Sequence, residues 1–197
     1  LVVVVLIKGI AEGRGTCAAY LERHPDVLEN TNRLIRAARE GGAMVVHVRL
    51  AFDKEYNGLP PAHPKGKYIR EHRKFQLGTE ENCFVEAVDV DLEKDIILDK
   101  KAGDPFCGSG LRETLQGEVH KKQREEVQSV VFAGVATDNA ISHGASTAMS
   151  EGFESVSVVE DACGASTEAG HAAALRLIAA QSAEVVTTEE LLKKFFP

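Results

Sequence analysis

The stretch Val130 to Thr147, VVFAGVATDNAISHGAST, constrains this chain more than any other. Val130, Val131, Phe132 and Ala133 form a short β-prone apolar run that stops at Gly134. Ala140, Ile141, Gly144, Ala145, Ala148 and Met149 then recur with helical spacing. A buried strand, a tight turn and a helix in immediate succession are therefore expected. A helix beginning near Asn139 points its first unpaired N–H groups, and the positive end of its dipole, at the carboxyl edge of the sheet. Such an edge favours an anion or a thiolate.

The same alternation runs through the chain. Leu1 to Ile7, LVVVVLI, reads as a central parallel strand, too short to span a bilayer. After a glycine-bearing segment, Pro25-Asp26 opens a helix with the stripe Val27, Leu28, Leu34, Ile35 and Ala38, closed by Gly41-Gly42. Ala43 to Leu50 is the second strand and Asp95 to Leu98 the third, followed by a helix around Leu111 to Gln116. Ser155 to Val159, Thr167 to Gln181, Ala183 to Val186 and Glu189 to Phe196 continue as strand, helix, strand and helix. Ala51 to Glu81, polar and carrying Pro60, Pro61 and Pro64, is expected to be a long functional loop or lid, and Phe84 to Val88 a short helical turn. Strands alternating with helices predict an α/β chain: a three-layer α/β/α sandwich on a mainly parallel sheet of about six strands. A chain of 197 residues without an evident linker predicts one domain over 1–197.

Charge and cysteine usage narrow the partners. A net charge of −7 with no basic cluster argues against a nucleic-acid surface. Cys17, Cys83, Cys107 and Cys163 show no C-x-x-C pairing, which favours a reduced, cytoplasmic setting over a disulfide scaffold. The chain opens on Leu1 rather than methionine, so a targeting signal upstream is left open. No nucleic acid, membrane, cofactor or metal is expected as a partner.

Ala133-Gly134-Val135-Ala136-Thr137-Asp138, the helix bearing Ser146-Thr147-Ala148, and Val158-Val159-Glu160-Asp161-Ala162 together resemble the isochorismatase-like cysteine hydrolases over nearly the whole chain. That resemblance implies a triad in which a carboxylate takes the thiol proton, a lysine holds the charge and a thiolate attacks an amide or similar carbon. The position of the family's cysteine, two residues after the Thr-Asp pair, is Ala140 here. The aspartate that ends the family's first strand is matched to Leu6, and only Lys100 fits, with Lys101 as its neighbour and competitor. The resemblance also implies self-association into a homo-oligomer.

The expected function is that of an isochorismatase-like protein that has lost cysteine-dependent hydrolysis and keeps a pocket for a small, anionic metabolite. The alternatives are a hydrolase of a small amide, ester or vinyl ether using other residues, such as Cys107 with Lys100, and an oligomeric interaction module. The candidate ligand-binding residues are Lys8, Phe106, Val135, Ala136, Thr137, Asn139, Ala140 and His143. Asp138 and Asp161 read as capping residues. His47, Asp53, His63 and His72 invite a metal, because nicotinamidases of the same superfamily carry an aspartate and two histidines after the second strand, but the tight Asp-x-His spacing is absent.

Overall fold

The computed structural model describes residues 1–60, 62, 64–117, 127–181 and 183–195. Its centre is a six-stranded, all-parallel sheet of β1 (Val2–Val4), β2 (Val46–Leu50), β3 (Ile96–Lys100), β4 (Ser129–Val135), β5 (Ser155–Gly164) and β6 (Glu184–Val186), in the order β3-β2-β1-β4-β5-β6. A parallel sheet buried on both faces needs strands that are apolar throughout, and the fully buried Val2, Val3 and Val4 of β1 meet that demand. Strand order reverses between β1 and β4, so the crevice beside their carboxyl ends is where such a sheet opens to a ligand.

The covering helices are α1 (Lys8–Ala11), α2 (Ala18–Arg23), α3 (Asp26–Glu40), α4 (Pro64–Glu71), α5 (Leu111–Leu115), α6 (Ser142–Ser150), α7 (Glu168–Ala180) and α8 (Thr188–Phe195). Helices α3 and α8 pack together on β5, and α6 and α7 pack against each other on the β4–β5–β6 side of the sheet. Helix α3 buries Val27, Thr31, Leu34, Ile35 and Ala38, four residues of the predicted stripe and Thr31, while the fifth, Leu28, is half-buried. It stops where Gly42 takes a left-handed φ of 71° and the Ala43 N–H reaches back 2.8 Å to the Ala38 carbonyl. That is a glycine C-cap in which an L side chain would be strained.

Several expected boundaries move. Strand β5 runs ten residues, so Asp161 lies inside it; its carboxylate accepts bonds of 2.7 Å from both the amide and the hydroxyl of Thr188, capping α8. Asp138 does not cap its own helix: its carboxylate lies against Gly170 in the first turn of α7. Phe84 to Val88 forms no helix but a turn, in which Phe84 bridges antiparallel to Ile7. The region 51–81 is more ordered than a loop. It contains α4 and a short 3-10 turn over Glu80–Asn82, and Phe52, Tyr56 and Leu59 bury a small core of their own against Ile69 and Phe75. Pro61 lies outside the described residues.

Candidate functional site

The carboxyl ends of β1 to β4 surround a cavity of about 380 Å³. This is the size of a small-metabolite pocket. Val5 follows β1, Leu50 ends β2, Lys100 ends β3 and Val135 ends β4, and all four line the cavity. The far wall comes from the segment between β2 and β3, where Phe52, Leu59, Lys65 and Ile69 close over the opening.

The expected triad register needs one correction. Leu6 does not line the cavity; its side chain is buried in the main core and its carbonyl accepts the Val85 N–H at 3.1 Å. Val5 lines it instead. The cause is local: Val5 has a φ of 54°, which breaks the alternation of the strand and turns its side chain toward the pocket. A β-branched residue is a genuine outlier there, at a cost of about 1–2 kcal/mol.

Lys100 and Ala140 do share the cavity with Val5. Lys100 pairs with Leu50 across β3 and β2 and is only 2% exposed; its ammonium donates to the Gly103 carbonyl. Burial brings the Lys100 pKa down from 10.5 to about 8, against the pull of Asp104 and Cys107. Lys101 also lines the cavity, with Nζ 2.7 Å from the Ala51 carbonyl and 5.7 Å from the centre of the Phe52 ring. The two lysines were competing candidates in the sequence, and both reach the site.

The elbow after β4 supplies Val135, Ala136, Asn139, Ala140 and His143 to the lining. The Val135–Ala136 peptide is cis, and Thr137–Ile141 forms a wide turn before α6. The turn alters one expectation, because the Asn139 N–H is bonded to the Ala136 carbonyl at 3.0 Å and is not free for a ligand. Gly103 lets the β3 loop approach this turn: a Cβ there would lie 2.9 Å from Asn139 Oδ1 and 3.3 Å from His143 Nδ1.

Three other candidates stand elsewhere. Thr137 is fully buried and off the lining, its hydroxyl 2.9 Å from both the Gly164 carbonyl and His171 Nδ1. Phe106 packs against the main core, and Lys8 pairs with Glu86 at 3.1 Å and Glu80 at 3.6 Å. Neither of them lines the cavity.

The suggested metal residues do not converge. His47 is buried against Asp95 at 3.0 Å, Asp53 accepts from the amide and side chain of Asn57, and His72 stacks on Tyr68. His63 lies outside the described residues. Among those described, no group of three or more His, Cys, Asp or Glu side chains is placed to hold a metal ion. All four cysteines are free. Burial raises the Cys17 thiol to about 11 and pushes Cys163 higher still, while Cys107 and Cys83 are exposed; none of the four lines the cavity. Among the described residues, no helix is long and apolar enough to cross a membrane.

The expected lid over Ala51 to Glu81 does border the cavity, through Phe52, Leu59, Pro60, Lys65, Gly66 and Ile69, whereas Val5 and Thr16 were not among the candidates. The spacing of Phe52, Tyr56 and Leu59 at i, i+4 and i+7 was the available signal that this segment packs.

The family model of the isochorismatase domain matches residues 1–190. The chain belongs to the isochorismatase family. Solved structures with the same fold include a cysteine hydrolase from Pseudomonas syringae pv. phaseolicola, 20% identical with a TM-score of 0.83 over 98% of this chain and 90% of that one. An isochorismatase family protein from Desulfovibrio vulgaris is 17% identical, with a TM-score of 0.79 over 98% and 95%. The pyrazinamidase of Pyrococcus horikoshii, solved in complex with zinc, is 23% identical, with a TM-score of 0.72 over 94% and 97%. At these identities the likeness to the solved structures speaks for the fold. Ala140, which the sequence resemblance matches to the family's cysteine, lines the cavity with a methyl group.

Proposed function

We propose that this chain is a non-hydrolytic member of its family that holds a small carboxylate, or another small anionic metabolite, in the cavity at the carboxyl edge of β1 to β4. One observation carries the reading: among the described residues, the lining includes Lys65, Lys100 and Lys101 but neither a carboxylate nor a thiol. A hydrolase of this family needs a nucleophile and a group to take its proton. Lysines and backbone donors alone supply binding and electrostatic stabilisation, which in a disabled hydrolase leaves roughly 10³–10⁴-fold over water. What the site retains is affinity for negative charge in a largely apolar, desolvated setting.

Two measurements test it. Titrating acetate, pyruvate and benzoate while following the melting temperature should raise Tm in the parent and much less in Lys100→Ala. No stabilisation in the parent, or equal stabilisation in both proteins, overturns the anion pocket. Incubation with isochorismate, nicotinamide and simple N-carbamoyl compounds should give no turnover at an enzymatic rate, and robust turnover of any of them overturns the loss of hydrolysis.

A further inference from the structure

Lys100, the residue matched by resemblance to the lysine of the hydrolase triad, stands on a lining that among the described residues carries neither a carboxylate nor a thiol. It is an amine buried at the end of edge strand β3, on the lining of a cavity that admits a small molecule. Its one hydrogen bond among those described is donated to the Gly103 carbonyl, so no carboxylate holds it as an ammonium through a direct ion pair. Asp104, the nearest acid acting on it, has its oxygens committed: one accepts the Phe106 N–H at 2.9 Å and the other the Thr147 hydroxyl at 2.5 Å. Opposite, Ala140 and Val5 present only hydrocarbon.

We propose that Lys100 is a covalent carbonyl-binding site, whose neutral amine forms a Schiff base with a short oxo acid or aldehyde held in the cavity. A lysine desolvated in an apolar pocket is the usual form of such an amine nucleophile. The Nζ lone pair attacks the carbonyl carbon and a C–N bond forms, while the C=O π pair moves to oxygen and is protonated from solvent, giving a carbinolamine. Nitrogen releases one proton from this adduct, the hydroxyl takes up a proton and leaves as water as the C=N bond closes, and the resulting iminium nitrogen gives up its second proton to solvent. Amine and carbonyl compound thus become imine and water, with no oxidant or reductant consumed.

The neighbours sort the three lysines of the lining. Lys101 is engaged with the Ala51 carbonyl and the face of Phe52, so its amine is already occupied and it serves as an anchor for a carboxylate rather than as the nucleophile. Lys65 sits on α4 and is exposed to water. Lys100 alone is both buried and on the lining, and burial makes a larger fraction of its amine neutral near pH 7 than an exposed lysine has. The charged or titratable groups around it are Asp104 and Cys107, which favour the ammonium, and Lys101 and His143 on the same wall.

The inference shares with the preceding reading only the premise that the cavity admits a small metabolite. The intact protein is incubated at pH 7 with glyoxylate, or separately with propanal, and cyanoborohydride, and labelled lysines are mapped by peptide mass spectrometry over time. Lys100 should be labelled first by both probes, at least about tenfold faster than the exposed Lys94, since each pKa unit changes the neutral fraction about tenfold. Labelling of Lys100 no faster than Lys94 overturns the proposal, whether or not carboxylates stabilise the fold. Fast labelling of Lys100 by propanal with no carboxylate effect on Tm upholds it and removes the anion reading instead. Because the parent itself is mapped, no variant has to fold for the result to count.

Discussion

Replacing Lys100 by methionine should make stability less dependent on alkaline pH, and the size of the effect follows from the site. The fall from 10.5 to about 8 is worth about 3 kcal/mol at ~1.36 kcal/mol per pH unit. The sign is that of a base whose folded pKa is depressed. Between about pH 8 and 10.5 the unfolded chain holds more protons than the folded chain, so stability rises with pH. Below that window the cost of burying the ammonium is fully present. Lys100→Met keeps an unbranched side chain only about one atom shorter and removes the titration. It also loses the hydrogen bond to the Gly103 carbonyl, but that loss is a constant offset. Urea unfolding of both proteins at several pH values isolates the term, because every other titrating group cancels in the difference. From pH 7 to 9.5 the parent should gain about 2 kcal/mol on the variant. If the two stabilities run parallel across that range, Lys100 is not desolvated in the folded protein, and the chemistry proposed for it loses its physical basis.

Three further outcomes follow from single positions. Val5→Gly should be more stable than Val5→Ala by about 1 kcal/mol in urea unfolding, reversing the usual preference for alanine within a strand, because only glycine accepts a φ of 54° without strain. Val5→Asp should fold, since its carboxylate would enter a cavity lined by lysines, whereas Leu6→Asp places an unpaired charge in the core and should cost roughly 3–5 kcal/mol; thermal melts that reverse this order would restore Leu6 to the site. At His47, burial lowers the imidazole pKa despite Asp95, and among the described residues the buried Nδ1 has no hydrogen-bond partner. The unfolded chain therefore takes up a proton below about pH 6.5 before the folded chain does, and stability falls from there downward by up to ~1.4 kcal/mol per pH unit; His47→Gln should flatten that part of the curve.

The sheet and its order of elements were legible because each rests on many residues at once. The valine run of β1, the stripe of α3 and the apolar start of β4 keep their meaning if any boundary slips by a residue or two. Site positions have no such redundancy. Lys100 and Ala140 were found because each lies beside a strand end that the pattern locates well. Leu6 was misplaced by one residue, since a single left-handed φ at Val5 changes which side chain faces the cavity and leaves no mark on the hydrophobic pattern. The wall from Phe52 to Ile69 was read as loop because its prolines and charges outweigh three apolar residues in composition, although those three suffice to bury a small core.

The contacts that shape the cavity are independent of the side chains of Val5 and Ala140. Gly134 lets β4 pass beside β1 where a Cβ would meet the Val4 carbonyl at 2.3 Å. Thr137 ties the elbow to Gly164, Thr147 ties α6 to Asp104, and Gly103 admits Asn139. None of these contacts uses the side chain of residue 5 or 140. A methyl group at 140 and an isopropyl group at 5 therefore leave the pocket standing and add apolar surface to it. They also leave Lys100 held by the strand in a low-dielectric wall with no carboxylate among the described lining residues to balance it. Such a lysine must recruit an anion, surrender its proton, or do each with a different ligand. The proposed anion pocket and the proposed Schiff-base amine are thus two responses to one electrostatic imbalance, a buried lysine on the lining whose acid and thiol neighbours, Asp104 and Cys107, stand off the lining.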